Sequence, residues 1–76
     1  MYHVNRKWKY MPDEIPDDQL VVYCRSAMCR CSPFQAKWDQ ASQYYQDVSY
    51  WDPVTDTWID TDLAIPWFAI DKWRLV

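Results

Sequence analysis

Glycine is absent from this 76-residue chain, where average usage of about 7% would supply about five. That absence removes the motifs in which backbone must approach phosphate or turn sharply: no GxGxxG, no P-loop, no GxSxG elbow. A nucleotide-binding enzyme is therefore not expected. Long hydrophobic runs are missing as well. The longest uncharged one, Leu63 to Ile70, contains Pro66 and falls far short of the roughly 20 residues that cross a bilayer. The start, Met1 to Tyr10, is polar and basic with no apolar stretch behind it, so neither a secretory signal nor a membrane partner is expected and the predicted location is the cytoplasm. Histidine occurs once, as His3, which leaves Cys24, Cys29 and Cys31 without a base to activate a nucleophile. Bases are missing from a long stretch: Asp39, Asp47, Asp52, Asp56, Asp60, Asp62 and Asp71 follow one another with no Lys or Arg among them. Ordinary surfaces intersperse both signs, so the second half reads as an acidic surface without local counter-charge.

What is present in quantity is aromatic: six Trp, six Tyr and two Phe. Half of the residues are hydrophobic, enough to fold where disordered segments cannot. The length predicts one domain, 1–76. A chain of this size buries only about 60% of its unfolded surface, which leaves little interior for a substrate cleft. Six Trp exceed what one small core encloses, so one or more should reach the surface, where Trp and Tyr dominate interface hot spots.

Met11 to Asp18 carries Pro12 and Pro16 and reads as an extended loop. Leu20 to Cys24, β-branched and aromatic, reads as a buried strand. Ser32-Pro33-Phe34-Gln35 has the residues of a capped helix start, and Phe34, Trp38, Ala41, Tyr45 and Val48 follow at spacings of four, three, four and three. This predicts a helix over about 33–47, burying that stripe. The competing reading makes Phe34 to Trp38 a strand by alternation and Asp39 to Gln43 a turn. Val48 to Trp51 and Thr57 to Ile59 read as strands around an Asp52-Pro53 turn. Trp67 to Val76 alternates as a terminal strand begun by Pro66, with Trp73 on one face and Lys72 and Arg74 on the other. The predicted fold class is α+β, a small antiparallel sheet of three to five strands with one packed helix. The alternative is an all-β meander.

Three constellations invite chemistry. Cys24, Cys29, Cys31 and His3 form a set zinc would accept, but they lack paired CxxC spacing and are read as reduced, non-ligating thiols. Asp52, Asp56, Asp60 and Asp62 resemble a glycosidase pair or calcium ligands only in composition, since the first needs a sugar cleft and the second a glycine turn and a closing Glu. Arg6-Lys7-Trp8-Lys9-Tyr10 interleaves cations with rings as single-strand binders do. The acidic remainder would repel that polyanion, and direct nucleic-acid binding is not expected. No cofactor, metal or catalytic residue is assigned, and the chain is not read as an enzyme.

Taken in order, Trp8, the acidic proline loop Pro12 to Pro16, the strand Leu20 to Tyr23, Ala36-Lys37-Trp38, the hairpin Trp51 to Trp58 and Ile70-Asp71-Lys72-Trp73-Arg74-Leu75 resemble the short phage- and prophage-encoded accessory proteins of unknown function. The resemblance spans most of the chain, departs in the Cys-rich segment and in Ala41 to Gln46, and has no catalytic residues to transfer. It implies a small accessory protein whose chain is a complete reading frame. Proteins of that kind resemble inhibitors of host defence enzymes with basic nucleic-acid grooves, which a carboxylate surface can occupy by mimicking phosphates. The predicted partner-binding residues are Asp47, Trp51, Asp52, Asp56, Trp58, Asp60 and Asp62, and the predicted partner is a larger host protein. The alternative is an assembly protein that homo-oligomerises, in the simplest case as a homodimer, through exposed Trp and an edge strand.

Overall fold

The structure, a computed structural model, describes residues 7–26 and 33–76. Its regular elements are strands β1 (Lys9–Tyr10), β2 (Val21–Arg25), β3 (Phe34–Asp39), β4 (Tyr44–Asp52), β5 (Thr57–Asp60), β6 (Ile65–Pro66) and β7 (Lys72–Leu75), with one 3-10 turn at Trp67–Ala69. They form a single antiparallel sheet in the order β1-β7-β2-β3-β4-β5, and β6 pairs with the first half of β4. Among the described residues no helix is long and apolar enough to cross a membrane.

The α+β expectation is thus overturned. The stretch predicted as a helix over about 33–47 is the hairpin of β3 and β4, in line with the competing reading and the all-β alternative. The physical reason lies in the spacings. Four residues from Phe34 to Trp38 is one helical turn, but it is also two strand repeats, with Ala36 buried between. Trp38 and Tyr45 do share a core, as cross-strand partners rather than as helix neighbours. Tyr45 and Val48 stand three apart because the register slips there, where Asp47 adopts φ 53°. A bulge adds one residue to a period of two and so reproduces a helical interval. Ala41, predicted as core, is exposed in the turn. Ser32, the expected helix cap, lies outside the described residues.

Other expectations fare better. The strand predicted over Leu20 to Cys24 is β2, shifted by one residue, and the strand-turn-strand reading around Asp52-Pro53 is β4 and β5. The terminal strand predicted over Trp67 to Val76 exists only as β7; its first half is the 3-10 turn Trp67–Ala69 and the link Ile70-Asp71. Lacking glycine, the chain places Gln19, Gln43, Asp47 and Asp56 in the left-handed region, with φ from 53° to 66°. Asp tolerates this conformation better than most side chains do.

One face of the sheet carries the core: Val22, Cys24, Ala36, Trp38, Tyr45, Val48, Ile70 and Trp73. Two irregular segments cover it. The 11–20 loop is tied down by Met11 N–H to Asp71 O at 2.9 Å, Trp38 N–H to Leu20 O at 3.0 Å and the Trp73 indole N–H to Glu14 O at 2.7 Å. The 61–71 segment is held by Thr61 N–H and hydroxyl on Val48 O and by Trp67 N–H on Gln43 O.

Cys24 is buried in this core, and burial pushes its thiol well above the usual range, which suits an inert side chain. Cys29, Cys31 and His3 lie outside the described residues. Burial likewise raises the Tyr45 phenol, with the Cys24 thiol adding to it, and among the described residues the Tyr45 hydroxyl has no hydrogen-bond partner. A buried unpaired hydroxyl costs more than it contributes. Tyr45→Phe is therefore expected to raise stability by about 1 kcal/mol in urea unfolding. A loss of stability would mean that the hydroxyl is bonded in solution.

The β3–β4 turn has its own carboxylate clamp. Asp39 Oδ2 accepts from the Ser42 hydroxyl at 2.6 Å and from Ser42 N–H at 3.2 Å, while Oδ1 accepts from the Gln19 amide at 2.8 Å. These bonds, led by the Ser42 hydroxyl and aided by Lys37, hold the Asp39 carboxyl below the usual carboxylate range despite some desolvation. A folded-state value below the unfolded one stabilises the protein above the ordinary carboxyl value near 3.8, and that stabilisation is lost as pH falls through the folded value. Asp39→Asn should flatten stability against pH in that acid window, and an NMR titration should show Asp39 protonating below its ordinary value. Titration at the ordinary value would refute the clamp.

Candidate functional site

Alternation sends Val21, Tyr23 and Arg25 of β2, Gln35 and Lys37 of β3 and Lys72 and Arg74 of β7 to the face opposite the core. Neither covering segment lies on this face. Register aligns one row across it: Arg74 opposite Tyr23, Tyr23 opposite Gln35, Gln35 opposite Ser49, and Ser49 opposite Asp60.

At the β4–β5 end, Trp51 and Trp58 are direct cross-strand partners, with ring centroids 5.7 Å apart in an edge-to-face arrangement. Each is 37% exposed. The Trp58 ring also leans to 6.2 Å from the Tyr23 ring, over the strands between them. The carboxylates around this pair have local duties. Asp52 Oδ1 accepts from Val54 N–H at 2.9 Å, the side-chain turn that Asp-Pro predicts, and Asp60 Oδ1 accepts from the Ser49 hydroxyl at 2.7 Å. Asp56 takes the left-handed position before β5. Among the described residues none of these three makes an ion pair.

Of the seven predicted binding residues, the fold therefore gathers Trp51, Asp52, Asp56, Trp58 and Asp60 on one hairpin. Asp47 stands apart in the bulge, 3.3 Å from the Lys37 ammonium, and Asp62 lies in the segment after β5.

At the other end stands a group that sequence reasoning does not assemble. The Arg74 guanidinium lies over the Trp8 ring at 5.0 Å and over the Tyr23 ring at 5.2 Å. The Lys72 ammonium sits over Trp8 at 5.1 Å and Tyr10 at 5.8 Å. Such contacts are worth about 0.5–1 kcal/mol at exposed sites and hold the cations in place. Arg74 Nε is shielded and without an acceptor, and among the described residues Arg25, Lys72 and Arg74 make no ion pair. The Lys72-Trp73-Arg74 alternation does put both cations on one face. Their ring partners cannot be foreseen from it, because β7 inserts between β1 and β2.

On the core side, a cleft of about 180 Å³ is lined by Met11, Pro12, Ile15, Trp38, Gln43 and Trp67, none of them titratable or nucleophilic. Among the described residues no three His, Cys, Asp or Glu side chains gather to hold a metal. No family model matches this chain, and neither a curated protein nor a solved structure matches it.

Proposed function

We propose that this is a non-enzymatic binding protein that occupies a basic surface of a larger protein with the β4–β5 hairpin. The observation that carries the reading is an exposed Trp51–Trp58 pair flanked by three carboxylates, Asp52, Asp56 and Asp60, that have no cationic partner among the described residues. Aromatic anchors beside unpaired charge are the composition of an interface hot spot and its steering rim. The resemblance to phage accessory proteins makes the partner a host protein in the host cytoplasm and the effect inhibition. A groove that otherwise holds nucleic acid is the surface such carboxylates suit best.

The test starts from a partner captured from host lysate and identified, whose binding kinetics are then measured with purified proteins. Asp52→Asn, Asp56→Asn and Asp60→Asn together keep the turn bonds and the left-handed residue while removing three charges. The triple variant should slow association about tenfold or more, and binding of the unaltered protein should weaken with salt. Trp58→Ala should instead speed dissociation. An unchanged association rate without salt dependence would refute the reading.

A further inference from the structure

The open sheet face is charged in opposite senses at its two ends. Arg25, Lys72 and Arg74 stand at the β1/β7/β2 end and Asp60 at the β4–β5 end, with Asp56 in the turn that leads into β5; none has an ion-pair partner among the described residues. Exposed Tyr10, Val21, Trp51 and Trp58 lie along the same face. We infer that this face binds a second copy of the chain, sheet against sheet, about a two-fold axis running parallel to the strands between β2 and β3.

The geometry follows from the strand order. Such an axis reverses the order β1-β7-β2-β3-β4-β5, so the cationic end of each copy lies over the carboxylate end of the other, twice. Strands of the two sheets then run nearly aligned, a standard mode of sheet packing. Six strands at about 4.8 Å spacing make a face about 24 Å wide, a size suited to the ~800 Å² per partner of a stable interface. The cations are prepared for carboxylates: Arg74 is held against the Trp8 and Tyr23 rings with its Nε shielded, which leaves its terminal N–H groups to donate. A single-stranded nucleic acid fits less well. Arg74 already holds one face of Trp8 and one of Tyr23 on which bases would stack, and Asp56 and Asp60 would repel its phosphates. This inference concerns the free protein and does not rest on the host-partner reading, although the two ligands would compete for one hairpin.

The purified full chain alone tests it, by sedimentation equilibrium at about 50 mM and about 500 mM salt. A dimer is expected at low salt, with self-association about tenfold weaker at high salt. Lys72→Glu with Arg74→Glu makes both ends acidic, and Asp56→Lys with Asp60→Lys makes both ends basic. Each variant should be monomeric, and an equimolar mixture of the two should form a heterodimer at least about tenfold tighter than either self-association. Near-ultraviolet circular dichroism of the tryptophans checks that each variant is folded. If the first pair fails to fold, the exposed Asp56 and Asp60 pair still decides the matter, because it must abolish the dimer. A monomeric unaltered chain at low salt, or folded variants that still dimerise, would overturn the inference. So would Arg74-dependent binding of a labelled thymidine oligomer by the monomer, which would assign the face to single-stranded nucleic acid instead.

Discussion

Trp38→Ala is expected to cost about 3–5 kcal/mol, the range for truncating a buried aromatic. A domain of this length has a total stability of about 4–11 kcal/mol, so the variant should lose between about a quarter and all of it. Position explains the size of the effect. Trp38 is 1% exposed, it faces Tyr45 across the β3–β4 pair with ring centroids 4.8 Å apart, and its backbone is bonded to the 11–20 loop at Gln19 and Leu20. Its indole N–H donates to Gln40 Oε1 at 2.9 Å. Gln40→Ala should therefore have a measurable cost of about 1 kcal/mol, the worth of one such bond, rather than the near-zero effect that an exposed face of a helix would give. Urea unfolding followed by circular dichroism reads both. A Trp38→Ala cost below about 1 kcal/mol would place the ring outside the core.

The second large effect is expected at Trp73, on the strand that joins β1 to the rest of the sheet. It is 4% exposed, and β7 is bonded on one side to β1 and on the other to β2. Its indole N–H reaches Glu14 O, 59 residues away, and the Lys9 ammonium lies 5.1 Å from its ring. Trp73→Ala should again cost about 3–5 kcal/mol. Trp73→Phe keeps most of the apolar surface and removes the donor, and should cost about 1–3 kcal/mol with a selective rise in proteolysis between residues 11 and 20. If the Phe variant were as stable as the unaltered chain and its loop equally protected, the indole would not be what holds the loop. If it were as damaging as Ala, the ring's shape rather than its N–H would be decisive.

Part of the candidate site is legible in the amino-acid order. Trp51 and Trp58 flank a turn started by Asp52-Pro53, and that local pattern alone implies a hairpin that pairs them, as it does. Charge and nearness in sequence group Asp47 and Asp62 with them, yet charge says nothing about side. Asp47 sits in a bulge against Lys37, and Asp62 is beyond the strand. The basic half of the open face escapes sequence reasoning for a topological reason. Trp8 and Tyr23 are brought to Arg74 only because a strand from the end of the chain enters between two strands from its beginning.

The amino-acid order by itself determined what depends on neighbours within a few residues. It settled a β-branched strand over Leu20 to Cys24, one residue ahead of the observed Val21–Arg25, the side-chain turn at Asp52, the opposite faces of Trp73 and of Lys72 with Arg74, and the exclusion of every glycine-dependent phosphate loop. Only the tertiary structure decided between helix and hairpin over residues 33–47. A spacing of four fits both a helical turn and two strand repeats, and a bulge at Asp47 turns the strand's period of two into an interval of three. Pairing across the sheet settled it, since Trp38 and Tyr45 complete the core together only as register partners. The placement of β7 is likewise a matter of distant contacts. No periodicity encodes which strand a segment will pair with, and here that pairing creates both the closed core and the charged, aromatic open face.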